Sequence, residues 1–115
     1  MVGRTDNGIN RATLSGRVSN TPHFLPARAG KDAVLEFGLA HEGCEPVSCV
    51  CFGARAERLR THVARGDVLL VDGHVKARMS ARSEVPRFEI VVERAFKAQA
   101  SEEKSGRARE GPEAG

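Results

Sequence analysis

Apolar residues recur along this chain with two different periods, and the switch between them marks out the elements. From about Asn10 to Ser19, Ala12, Leu14, Gly16 and Val18 alternate with Arg11, Thr13, Ser15 and Arg17. A period of two predicts a strand with one buried face. Thr21-Pro22 ends it, since proline donates no ladder hydrogen bond. Pro26 to Asp32 reads as a loop with Gly30 as its turn residue. A second strand is predicted over Ala33 to His41, a loop over Gly43 to Pro46, and a third strand over Val47 to Phe52. Then Ala56, Leu59 and Val63 fall three and four apart, which places them on one face of a helix running from about Ala54 to Arg65. Gly66 is read as its C-cap, because glycine takes the left-handed conformation without strain. Leu69, Val71, Gly73 and Val75 restore the strand period over Asp67 to Arg78, and an internal Gly73 suggests a bend or bulge. A short loop around Ala81 to Pro86 leads to a fifth strand, Arg87 to Glu93.

Five strands with one helix between the third and fourth is the element order of the OB-fold, a small, partly open barrel. Pattern alone leaves other small barrels open. Residues 1–8 are polar and read as a flexible start, residues 9–97 as the single domain, and residues 98–115 as a disordered tail without an apolar face. A chain of 115 residues with 40% hydrophobic residues suits one thin-cored globular unit. No apolar run reaches membrane-spanning length, and Arg4, Asp6 and Asn7 interrupt any signal-peptide pattern. Cys49 and Cys51 sit two apart on one strand and are read as small buried hydrophobes rather than a disulfide or metal site.

Charge sharpens the picture. The formal net charge is +3. The first 100 residues hold 15 Lys and Arg against 11 Asp and Glu, whereas the last 15 hold three against four. The positive field therefore belongs to the domain.

Several motifs, in order, resemble the bacterial single-stranded DNA-binding protein family. They are Asn10-Arg11, Leu14-Ser15-Gly16-Arg17-Val18, Thr21-Pro22, Phe37-Gly38-Leu39-Ala40, Phe52-Gly53, Ala56-Glu57, Arg65-Gly66, Val71-Asp72-Gly73 and Arg87-Phe88 before Ile90-Val91-Val92. The resemblance spans roughly Ile9 to Lys97. The opening motifs are also similar to primosomal replication protein N, a smaller relative of the same fold. The resemblance implies an OB-fold all-β barrel with one helix, single-stranded DNA as partner, and a cytoplasmic, nucleoid-associated location.

Binding a single strand needs a positive groove for phosphates and flat groups on which bases stack. Arg11 and Arg17 on the first strand, Lys76 and Arg78 on the fourth, and Arg82 and Arg87 around the last loop are the candidate phosphate partners. A solvated strand face would use the same residues. Arg55, Arg58 and Arg60 on the helix are read as plain solvent-facing charge. There is no Trp and no Tyr. The tryptophan platforms of the resembled family fall on Pro46 and Ser80, and a third near Glu45. Phe52 keeps a base-contacting position of that family and is a candidate platform, with a core role as the alternative. Phe24, in the turn after the first strand, is a second candidate, while Phe37 and Phe88 are assigned to the core. His74 points outward and could touch a phosphate or base; plain exposure is the bland alternative.

The four histidines are dispersed, with no nucleophile motif or metal spacing, and no phosphate-cradling loop or dinucleotide fingerprint occurs. No enzyme activity, cofactor or metal is expected. Two functions remain: sequence-independent single-stranded DNA binding in replication, recombination or repair, or a protein-interaction or primosome-assembly module with a weakened DNA face. The end, Arg109 to Gly115, lacks the acidic, Phe-tipped peptide of the resembled family, which counts against a hub for replication or repair proteins. Self-association as a dimer or tetramer is expected, because a long, proline-free first strand exposes an edge, and the resembled family pairs there.

Overall fold

A computed structural model describes residues 8–80 and 83–99. Residues 1–7 and 100–115, which hold nearly all of the expected flexible start and tail, lie outside the described residues, as does Arg82. The elements run β1 (Ala12–Val18), β2 (His23–Leu25), β3 (Val34–Ala40), β4 (Val47–Phe52), α1 (Gly53–Leu59), β5 (Val68–Ser80) and β6 (Ser83–Gln99). They form one sheet in the order β1-β5-β6-β4-β3-β2, and β1 also pairs with β3. That extra pairing, Arg17 with Ala40 and Val18 with Leu39, closes a five-stranded ring of β1, β5, β6, β4 and β3. All pairings are antiparallel except β4 with β6. The helix lies between the third and fourth strands of this ring, and the architecture is the OB-fold barrel.

Closure depends on close backbone approach. A Cβ at Gly16 would lie 2.3 Å from the carbonyl oxygen of Ala40, where β1 crosses β3. A Cβ at Gly73 would lie 1.9 Å from the carbonyl oxygen of Val91. The β5–β6 register shifts at that point: Asp72 faces Arg94, but Gly73 faces Val92. Glu93 is the extra residue of a bulge, as the internal glycine suggested. The core packs inside the ring from Val18, Leu35, Phe37, Leu39, Cys49, Cys51, Leu69, Val71, Ile90 and Val92, with Ala56 and Val63 closing one end. Burial pushes the Cys49 thiol up to about 12 and the Cys51 thiol up to about 11. Both stay neutral at physiological pH and behave as apolar filling.

Four elements differ from the expectation. The chain after β1 does not simply turn: beyond Thr21-Pro22 it rejoins the edge of β3 as β2, so Phe24 lies on a strand opposite Leu35. The helix stops at Leu59 rather than Arg65. The Thr61 hydroxyl donates to the Arg58 carbonyl, and the His62 ring nitrogen lies 3.2 Å from the same oxygen, so side chains take up the carbonyl that a further turn would use. Gly66 does have a positive φ of 93°, but it shapes the turn into β5 rather than the helix end. The loop expected over Ala81 to Pro86 is largely strand, since pairing continues to Ser80 and Ser83. β5 and β6 therefore form a hairpin that runs well beyond the packed core.

Because the atoms facing Gly73 are backbone, no side-chain rotation can make room there. Gly73→Ala is expected to lower stability by at least about 1–3 kcal/mol, measured by denaturant unfolding. Stability unchanged from the parent would show that the bulge is not a tight constraint.

Candidate nucleic-acid interface

Laterally paired residues point to the same side of a sheet, so the register defines the outer face row by row. One row is Leu25, Val34 and Phe52. The next is His23, Glu36, Val50, Val91 and His74, and the third is Gly38, Ser48, Glu89 and Lys76. The last is Arg87 opposite Arg78. Curvature of the barrel folds this face into a trough. One part, about 340 Å³, is lined by Ser19, Asn20, His23, Glu36, Gly38, Pro46 and Ser48. The other, about 760 Å³, is lined by Pro46, Val47, Ser48, Glu89, Arg78, Met79, Arg87 and Phe88. Pro46 and Ser48 line both, so the two parts adjoin there.

The expected site residues do not all meet here. Arg78 and Arg87 line the trough, and exposed Lys76 lies one row away. Neither Lys76 nor Arg87 has a carboxylate partner among the described residues. Arg78 does: its Nη1 donates to Glu89 Oε1 at 3.4 Å and lies 4.0 Å from Glu36 Oε2. Phe52 sits on the outer face, 38% exposed, beside Val34. Phe24 faces the core and lies under the Arg60 guanidinium, 4.1 Å from its ring centroid. His74 Nδ1 lies 2.8 Å from the bulged Glu93 carboxylate.

Arg11 and Arg17 are committed elsewhere. Arg11 Nη2 donates to both Asp72 oxygens, at 2.9 and 2.8 Å. Arg94 pairs with the same carboxylate, and the Thr13 hydroxyl donates to it at 3.2 Å. Arg17 Nη1 donates to the Gly66 carbonyl at 2.7 Å and so ties β1 to the turn before β5. Arg11 lies just before β1 and Arg17 near its end, so these two arginines form no common patch. The Asn10 side-chain amide pairs with both the N–H and the C=O of Val75 at 2.9 Å, extending the β1–β5 ladder by one side chain.

Phe88 is the residue that sequence reasoning placed wrongly. Its parity matches Ile90 and Val92, which suggested the core, but it is 63% exposed and lines the trough. The hairpin outruns the core, so its inner face, opposite Arg78 and Arg87, opens to solvent at Val75, Met79 and Phe88. The length of the hairpin was the missing signal, and it is hidden in the sequence by Pro86.

Among the described residues no helix is long and apolar enough to cross a membrane, and no group of three or more His, Cys, Asp and Glu is placed to hold a metal ion. No family model matches the chain, and no curated protein matches it. Solved structures do. One is the SSB domain of a protein from Synechococcus sp., 20% identical, with a TM-score of 0.65, covering 78% of this chain and 97% of that one. Another is the second single-stranded DNA-binding protein, SSBb, of Mycobacterium smegmatis, 21% identical, with a TM-score of 0.65, covering 77% of this chain and 86% of that one.

The Asp72 cluster gives a pH signature. Hydrogen bonding from Arg94 comes first, and with Thr13 and the charges of Arg11 and Arg94 it holds the Asp72 carboxyl below its ordinary value of 3.8, against the opposing effect of burial. A carboxyl lowered in the folded state stabilises above its unfolded pKa, and that stabilisation fades as pH falls through the folded pKa. Asp72→Asn should therefore be less stable than the parent at neutral pH, with the difference shrinking in acid. A difference that stays constant from pH 7 to pH 2 would contradict this role.

The ring of five strands, the helix between its third and fourth members and the two structural matches establish one conclusion together: the chain has the OB-fold of bacterial SSB domains.

Proposed function

We propose that the outer-face trough binds single-stranded DNA with weak sequence preference, in replication, recombination or repair. The observation that carries this reading is that two cations of the outer face, Arg87 at the trough's end and Lys76 one row away, have no carboxylate partner among the described residues. Phe52, on the same outer face, presents ring surface to unpaired bases. The fold shared with the Synechococcus and Mycobacterium domains supports the same reading. Each phosphate neutralised on a single strand adds about 0.7 to the log–log slope of affinity against salt. Anisotropy of a labelled oligo-dT across a salt series should show a steep slope, and Lys76→Ala and Arg87→Ala should each reduce it by about that amount. Affinity indifferent to salt, or equal affinity for duplex, contradicts the proposal.

A second reading, an interaction or primosome-assembly module on the same fold, is favoured by the carboxylates of Glu36 and Glu89 in the trough and by the lack of Trp and Tyr. Both readings include self-association. β1 pairs with β3 only at Arg17 and Val18, so Ala12 to Gly16 have a described ladder partner on the β5 side alone. An unpaired edge invites a second copy. Light scattering at micromolar concentration should give a multiple of the 12.4 kDa chain mass; the mass of one chain contradicts it.

A further inference from the structure

We infer that Arg78 acts in the trough as a stacking plane for a base and not as a phosphate partner, and that Glu89 and Glu36 hold it in that role. This deepens the proposed single-strand binding and rests on it.

Arg78 starts from β5, and its guanidinium reaches across β6 and β4 toward β3. It donates to Glu89 on β6 at 3.4 Å and lies 4.0 Å from Glu36 on β3. The Glu89 side chain is only 9% exposed, so it is a fixed acceptor in the trough wall, and Arg78 is its partner there. The Arg78 side chain remains 61% exposed. All guanidinium N–H bonds lie in the plane of the group. Glu89 and Glu36 both approach its rim at one atom, Nη1, and so anchor the group by its edge rather than across its flat faces. Two nearby carboxylates also offset its charge, which makes it a poor site for a phosphate and a good one for a neutral base. Guanidinium planes stack on bases as aromatic rings do. Arg87, opposite and without a carboxylate partner among the described residues, remains for the phosphate. This division of labour supplies a flat group to a trough that has no Trp or Tyr.

Arg78→Lys separates plane from charge, because lysine keeps the charge as a point on a flexible stem. Oligo-dT affinity and its salt slope are measured for the parent, Arg78→Lys, Arg78→Ala and Glu89→Gln, with thermal melts to scale each value to the folded fraction. Arg78→Lys and Arg78→Ala should both lose affinity, by about tenfold, with the slope unchanged. Glu89→Gln frees the guanidinium to seek phosphate, so its slope should rise, by up to about 0.7; Glu36→Gln, at a more exposed position, replaces it if that variant does not fold. Parent-like binding by Arg78→Lys overturns the inference, as does a slope reduced by about 0.7 in Arg78→Ala. In those cases the trough still binds DNA and only the role of Arg78 is wrong. A parent protein that binds no oligonucleotide overturns the proposed function itself, and this inference with it.

Discussion

At Gly73 two backbones come so close that no side chain fits between them, and much of the barrel's shape follows from that approach. The bulge beside it inserts Glu93 into β6 and exchanges the faces of the residues on either side. Below the bulge, Val92 and Ile90 turn inward to the core. Above it, Arg94 turns outward to meet Asp72, Arg11 and Thr13. Without that exchange, one strand could not both seal the barrel and supply an ion cluster to the β1 side. The crossing of β1 over β3 at Gly16 completes the closure from the opposite end.

Closure divides the surface electrostatically. On the β1 side, arginines are consumed by structure: Arg11 and Arg94 neutralise Asp72, and Arg17 holds the Gly66 carbonyl. On the side of β3, β4 and β6, curvature makes a trough with cations at one end and carboxylates along it. A trough of uniform positive charge would hold phosphates anywhere. One that mixes Glu36 and Glu89 with Arg78 and Arg87 favours phosphates at the Arg87 end and bases over the rest. The modest +3 net charge of the chain is thus less informative than where its unpaired cations stand.

Periodicity in the sequence was enough for the five ring strands, the helix between the third and fourth, the Gly73 bulge and the buried Cys49 and Cys51, because each of these obeys a local rule of spacing or backbone freedom. It failed where non-local pairing decides. β2 is three residues long and exists only because β3 offers it an edge. The β5–β6 hairpin extends through a proline-containing segment because its two strands pair with each other far from the core. Phe88 follows the parity of core residues yet lies where the core has ended. Among the candidate site residues, strand parity correctly put Arg78, Arg87, Lys76 and Phe52 on one outer face. It could not show that Arg11 would meet Asp72, 61 positions away in sequence, since that contact depends on the β1–β5 register.

The central claim is that the outer face of β3, β4, β6 and β5, and not the β1 side, is the path of a single strand. Titration of the isotope-labelled protein with unlabelled oligo-dT, followed residue by residue by NMR, tests this most directly. Shifts should concentrate at Glu36, Ser48, Phe52, Lys76, Arg78, Arg87, Phe88 and Glu89, with Thr13, Ser15, Leu70 and Arg94 little changed. Shifts centred on the β1 side, or none at saturating oligonucleotide, would contradict the account.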